Sequence, residues 1–208
     1  MPLQNRVTPF SAIEAVPARG LFTGNRGCLH DANRRLVTQG WRTRAWIVCT
    51  LTFKTVRRVA MTPRRWTELF FLDEATALAA GHRPCAYCRR PAFRAFVEAW
   101  ASVTGGPARA PAVDAALHAD RVPPRRGHPR PTARLGDLPD GTFVTLPGDA
   151  ETAWLVAGGA VRQWSHAGYA PPVRRSPRLA VTVLTPTASV LALRAGYRPV
   201  LHPTAGLT

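Results

Sequence analysis

The chain has 208 residues, 46% of them apolar, which is enough to bury a core without disulfide support and too apolar for a disordered segment. Lysine and arginine number 28 against 12 acidic residues, a formal net charge of +16, and a compact fold with that surplus repels itself unless a polyanion is near. No apolar run reaches the length of a membrane span and "MPLQNRVTPF" holds no apolar signal core, so the reading is a soluble cytoplasmic protein, without a membrane partner, whose thiols stay reduced.

Residues 1–22 read as irregular, because Pro2, Pro9 and Pro17 interrupt any helix. The apolar stretches flanking "DANR" predict a hairpin. "AWIVCTLTF" is rich in β-branched and aromatic residues and predicts a strand, with Trp46, Val48 and Thr50 on one face and Ile47, Cys49, Leu51 and Phe53 on the other. "RRVAM" is a candidate to pair with it, and "ELFFL" is a further strand. Asp73 offers an N-cap to a short helix over "EATALAA", Glu74 suits its first turn, and Gly81 stops it. Pro84 forbids continuation and holds Arg83 extended, which places Cys85 and Cys88 on a turn directly after a helix end. A second helix starts at or just after Cys88, with Pro91 in its first turn and Phe93, Phe96, Val97 and Trp100 along one buried face.

Residues 104–141 are rich in Pro, Gly and Arg, with one helical patch near "DAALHA", and read as a boundary or a basic arm. The remainder is β-rich: "FVTL" and "LAVTVLT" are strands, "WLVAGGAVRQW" is a hairpin turning at Gly158-Gly159, and "TASVLALRAGYRP" closes with a helix stopped by Gly196. The expected fold class is therefore α+β, with a metal-containing α/β module over 1–103, a basic connector over 104–141 and a β-rich part over 142–208. One short echo stands out: "ALAAGHRPC" and "ALRAGYRPV" share Ala-Leu-x-Ala-Gly-x-Arg-Pro, a helix stopped by glycine and followed by a ring and Arg-Pro.

Two thiolates on a Cys-x-x-Cys turn can face one metal, and tetrahedral zinc then needs two more N or S ligands from elsewhere in the chain. The candidates are Cys28, His30 and Cys49. Cys49 is either a ligand or a core thiol on the Ile47/Leu51/Phe53 face, and His30 competes with Cys28; a set of Cys28, Cys49, Cys85 and Cys88 uses every cysteine of the chain. The Pro-Cys-x-x-Cys half of zinc deaminases is excluded because no His-x-Glu occurs in the sequence, and a thioredoxin-type redox pair does not suit a turn after a helix end.

The stretch "ELFFLDEATALAAGHRPCAYCRR" resembles the Ada-type metal-binding domain of DNA repair, chiefly in "AAGHRPCAYC" and over residues 21–90, where "TGNRGCLHD" is also similar. The whole chain resembles a bacterial family whose members open on "MPLQNRVTPF". The Ada-type resemblance implies zinc, DNA and a thiolate that accepts a methyl group from a DNA phosphotriester; Cys85 and Cys88 match the motif. The first ligand pair, four apart in that family, is not matched, since Ala32 and Arg34 stand four after Cys28 and His30.

Arg89, Arg90 and Arg94 crowd the start of the second helix, where cations oppose the helix dipole unless an anion arrives, and Arg83 flanks the same spot. Arg26 neighbours Cys28, and Arg64 and Arg65 adjoin Trp66, a pairing that suits stacking on unpaired bases, as does that of Arg42 and Arg44 with Trp41 and Trp46. "RVPPRRGHPRPTAR" is a basic run able to track a phosphate backbone. The expected role is zinc-dependent nucleic-acid binding, to DNA in repair or processing. The alternatives are a damage-reversal methyl acceptor using Cys28 or Cys49, a nuclease-like hydrolase using His30 and Asp31, and a protein-interaction module with structural zinc.

Overall fold

The computed structural model describes residues 1–54, 59–121 and 130–206. It is an α+β fold of two six-stranded sheets and four helices among the described residues. The first sheet takes β1 (Arg6–Val7), β2 (Ile13–Glu14), β3 (Phe22–Asn25), β4 (Ile47–Thr50), β5 (Leu69–Phe71) and β6 (Arg83–Pro84), in the order β2-β1-β5-β3-β4-β6. Its centre is antiparallel, but β6 joins β4 in parallel, with Ile47 opposite Arg83 and Val48 opposite Pro84. The second sheet takes β7 (Thr132–Arg134), β8 (Phe143–Leu146), β9 (Asp149–Ala157), β10 (Ala160–Ser165), β11 (Gly168–Tyr169) and β12 (Ala180–Val183), in the order β11-β10-β9-β8-β12-β7.

Helix α1 (Glu74–Ala79) is buried on every side and lies where the cores meet. Ala77 packs with Val48, Leu69 and Phe71 of the first sheet, Ala75 and Ala79 pack with Phe143 and Leu155 of the second, and Leu78 joins the helical core. That helical core is built by α2 (Arg90–Thr104), α3 (Ala110–Arg121) and α4 (Thr187–Arg194), through Phe96, Trp100, Val113, Leu117 and Leu193. Asp73 caps α1 through Thr76 N–H at 2.8 Å and also accepts from the Tyr169 hydroxyl at 2.7 Å and from His202 N–H at 3.1 Å, which ties the C-terminal part to the start of α1.

Several expected elements differ in extent. Residues 1–22 contribute the two-residue strands β1 and β2, too short for any periodicity to announce them. The stretch 104–141 is not a bare connector: its helical patch is the twelve-residue α3, which packs Val113 and Leu117 into the shared helical core, so buried contacts cross both expected boundaries. Much of "RVPPRRGHPRPTAR" and the start of "RRVAM" lie outside the described residues. The Gly158-Gly159 turn joins β9 to β10, both glycines at positive φ as a tight hairpin turn requires. No described helix is long and apolar enough to cross a membrane.

Candidate metal centre

The parallel pairing of β4 with β6 brings the cysteines together. Cys85 follows β6 and donates its backbone N–H to the Val48 carbonyl at 2.9 Å, which sets it beside Cys49. The chain then turns back on itself, Arg89 N–H donating to the Cys85 carbonyl at 3.1 Å, and returns Cys88 to the same spot. The Sγ atoms of Cys49, Cys85 and Cys88 all lie within 4.8 Å of one another. Thiolates about 2.3 Å from a tetrahedral ion stand roughly 3.8 Å apart, so a metal fits with a small closure of the group. The three cysteines can therefore hold a metal ion.

Of the two readings of Cys49, the ligand one is favoured by its strand face. Ile47 is half-buried, Leu51 is 47% exposed, and Phe53 leans on Tyr87 at the surface, so this face is not apolar core; what covers Cys49 is the Cys85–Cys88 turn. The turn is also built for a sulfur anion. Tyr87 N–H points at Cys85 Sγ at 3.4 Å, and the Cys85 thiol is pushed down to about 5, first because the Cys49 thiol donates to it and then, against the cost of burial, because the backbone N–H groups of Cys88 and Tyr87 do. Cys49 is pushed up correspondingly, as the donor of that hydrogen bond and by burial. A cation at this spot would let the sulfurs ionise together.

Cys28 is not part of the group. It follows the end of β3, and its Sγ lies 3.7 Å from the His30 carbonyl. His30 is not available in its place: Nδ1 pairs with Thr67 Oγ1 at 2.6 Å and Nε2 with the Thr62 carbonyl at 3.1 Å. Asp31 accepts from the N–H groups of Asn33 and Arg35, both at 2.9 Å, and so shapes the predicted turn. The expected His30/Asp31 hydrolytic pair is thus committed to backbone and threonine partners.

The seven arginines assigned to nucleic acid divide into two groups. Arg26, Arg83 and Arg89 are corrected: each is buried and satisfied largely by protein groups. Arg89, the residue before α2, is bidentate to Glu74 at 2.7 and 2.8 Å and lies 4.4 Å over the Phe22 ring. Burial alone would lower its pKa, but the Glu74 carboxylate holds it above its ordinary value. Arg83 is bidentate to Asp114, both contacts at 2.8 Å. Arg26 is 1% exposed, lies 4.2 Å over Trp46, and donates to His82 Nε2 at 3.3 Å and the Ser11 carbonyl at 3.0 Å; burial, with repulsion from Arg121, pushes it down to about 9. Their carboxylate, imidazole and carbonyl partners are distant in sequence, which is why local reasoning put them on the surface. Arg64, Arg65, Arg90 and Arg94 are exposed. Of the aromatics, Trp46 is 4% exposed and covered by Arg26 and Arg121, so it offers no face to a base, whereas Trp41 is 37% exposed.

Two residues at the rim of the centre, Lys54 and Tyr87, were given no role in the sequence. Lys54 Nζ donates to the Tyr87 hydroxyl at 3.0 Å, and Phe53 meets Tyr87 edge-on at 5.0 Å. The one signal for them was that Lys54 is the sole lysine of the chain. Comparisons with models of protein families, with curated proteins and with solved structures return no match.

Proposed function

We propose that the protein is a zinc-holding nucleic-acid-binding protein, with zinc in the Cys49–Cys85–Cys88 centre stabilising the turn that opens α2. The observation that carries the polyanion half is the partition of the arginines. Among the described residues the arginine–carboxylate pairs are two, Arg83–Asp114 and Arg89–Glu74, and both are buried. The exposed arginines, Arg90 and Arg94 at the start of α2 included, add to a +16 chain without such a partner. Cations at a helix N-terminus oppose the helix dipole, and an incoming phosphate relieves that repulsion. The resemblance to the Ada-type domain supports DNA, in repair or processing, as the polyanion. The methyl-acceptor reading is weaker, because Cys49 is 5% exposed and Cys28 stands outside the centre, so neither combines metal activation with access to a DNA phosphotriester.

The test is a fluorescence-anisotropy salt titration on single- and double-stranded DNA. Arg90→Ala/Arg94→Ala should weaken binding on all sequences alike and flatten the log–log salt slope by about one unit for each phosphate no longer neutralised. Unchanged affinity and slope remove α2 from the interface, and no DNA binding by the wild type removes the reading.

A further inference from the structure

We infer that the metal in the Cys49–Cys85–Cys88 centre keeps a fourth coordination position open to solvent, and that this position takes a small exogenous thiol as its thiolate. The inference rests on the metal reading above and concerns the same site.

The donor count is the first ground. The metal-ligating groups that gather here among the described residues are the three thiols. Other potential donors of the N-terminal half are engaged elsewhere: Cys28 Sγ lies against the His30 carbonyl, both His30 nitrogens are paired, Glu74 holds Arg89, and Glu68 Oε2 accepts from Met61 N–H at 2.6 Å. Outside the described residues, 55–58, which come after Phe53 and Lys54, are Thr, Val, Arg and Arg by sequence and bring no cysteine, histidine or carboxylate, and 122–129 bring one histidine, His128, after Arg121, whose guanidinium is bound at the Gly81 and Arg44 carbonyls and not at the cysteines. Zinc prefers four ligands, and protein sites that supply three leave the last to water or a substrate.

Access is the second ground. Cys49 and Cys85 are buried, but Cys88 is half-buried, and its turn neighbours Ala86 and Tyr87 are exposed, Tyr87 by 68%. The centre therefore reaches solvent on the side where Tyr87, Phe53 and Lys54 form a small aromatic rim with one ammonium group. A three-thiolate zinc centre carries one net negative charge and is softened by its sulfur ligands, so a sulfur donor suits it. Its thiolate form brings a second negative charge, which the Lys54 ammonium at the rim offsets. The step is a ligand exchange: the metal–water bond breaks, a metal–sulfur bond forms, and the thiol proton leaves to the buffer. No electron is transferred.

The test uses the full chain, reduced with a phosphine, freed of metal and reloaded with cobalt(II), whose sulfur charge-transfer absorption counts thiolate ligands. One cobalt should bind per chain with a three-thiolate spectrum. Titration with 2-mercaptoethanol should then raise the charge-transfer band by about a third, saturably and with one ligand per metal, as three sulfurs become four. About one proton should be released per thiol bound. Lys54→Ala should leave cobalt stoichiometry unchanged and weaken thiol binding about threefold, the scale of an exposed charge contact. A four-thiolate spectrum before any thiol is added, or a band indifferent to thiol, overturns the open position. A site that binds imidazole in preference overturns the sulfur assignment. Failure to take up any cobalt or zinc defeats instead the metal reading on which the inference rests.

Discussion

The two copies of Ala-Leu-x-Ala-Gly-x-Arg-Pro end two helices in the same way and then part. In both, the glycine takes positive φ, 84° at Gly81 and 105° at Gly196, and the last carbonyls are closed by the same pair of bonds: Gly81 to Leu78 and His82 to Ala77, Gly196 to Leu193 and Tyr197 to Ala192. After the first copy, Arg83-Pro84 becomes β6 beside β4, Arg83 finds Asp114, and the next residue is Cys85. After the second, Arg198 is exposed and reaches only its own neighbourhood, while Val200 N–H turns in to Glu74 at 2.9 Å. The local code sets the cap; whether a free strand edge lies alongside decides if the exit becomes a cysteine turn or a clasp.

The sharpest way to break this comparison is at the residue after Arg-Pro. Cys85→Ser should abolish metal binding, lowering affinity by more than ~100-fold. It should also take several kcal/mol from stability, about 10 °C of melting temperature at 2–4 °C per kcal/mol, because metal binding is coupled to folding. Val200→Ala, 50% exposed at the matching position, should move neither metal content nor melting. Cys28→Ser should also retain the metal; metal analysis of the three purified variants decides, and a Cys85→Ser protein with full metal content would end the assignment.

One step smaller is the arginine. Arg83→Ala leaves the Asp114 side chain, 13% exposed, without its cation, and should cost about 3 kcal/mol in urea unfolding. Arg198→Ala should stay within ~0.5 kcal/mol. Equal costs at the two positions would mean that the buried pair adds nothing over a surface arginine.

The same split between local code and distant partner divides the legible from the illegible in the sequence. Local signals carried the Asp73 cap, the Gly81 stop, the α2 face of Phe96, Val97 and Trp100, and the Cys85–Cys88 turn, since each rests on neighbours within a few residues. Cys49 was reachable only as an alternative, because its partners depend on β6 lying parallel to β4. The exclusion of Cys28 was not legible: one residue type fits a ligand and a loop thiol equally, and only the end of β3 decides. Nor were the buried roles of Arg83 and Arg89, whose carboxylates stand 31 and 15 residues away. The charge surplus was legible as a total but not as a surface.

The ring after each glycine gives a pH test. His82 is fully buried among Arg26, Arg121, Trp46 and Phe71, and burial first, then the two guanidinium groups, depresses its pKa well below the ordinary value. The native state therefore holds it neutral, while the unfolded chain takes up a proton near pH 6.5. The stability from a neutral His82 is fully present above about pH 6.5 and is lost as the pH falls toward the depressed native value, at about 1.4 kcal/mol per pH unit. His82→Gln should flatten the stability profile below pH 6.5 by that slope. Tyr197, whose pKa burial raises, stays protonated in both states there, so Tyr197→Phe should shift the profile without changing its slope between about pH 5 and 7. A wild-type profile parallel to that of His82→Gln would show that the imidazole is already charged in the fold.

The smallest difference lies in the glycines themselves, and it separates backbone from surroundings. Gly196→Ala meets nothing within 4 Å, so its cost is the left-handed backbone alone, about 1 kcal/mol. Gly81→Ala carries the same backbone penalty, but its Cβ would stand 2.4 Å from Arg121 Cδ and 2.8 Å from Cγ. Arg121 is not free to swing aside: Nη1 donates to the Gly81 carbonyl at 2.7 Å, Nη2 to the Arg44 carbonyl at 2.9 Å, and the guanidinium lies 4.1 Å over Trp46. Displacing it loosens the exit of α1 just ahead of β6, so Gly81→Ala should cost about 1–2 kcal/mol more than Gly196→Ala, read as urea midpoints at constant slope. Because β6 aligns Cys85 with Cys49, Gly81→Ala should also weaken metal binding severalfold, which Gly196→Ala should not. If the two alanines cost the same and metal affinity is untouched, Arg121 does not brace the turn, and the two helix ends differ only in the segments they lead into.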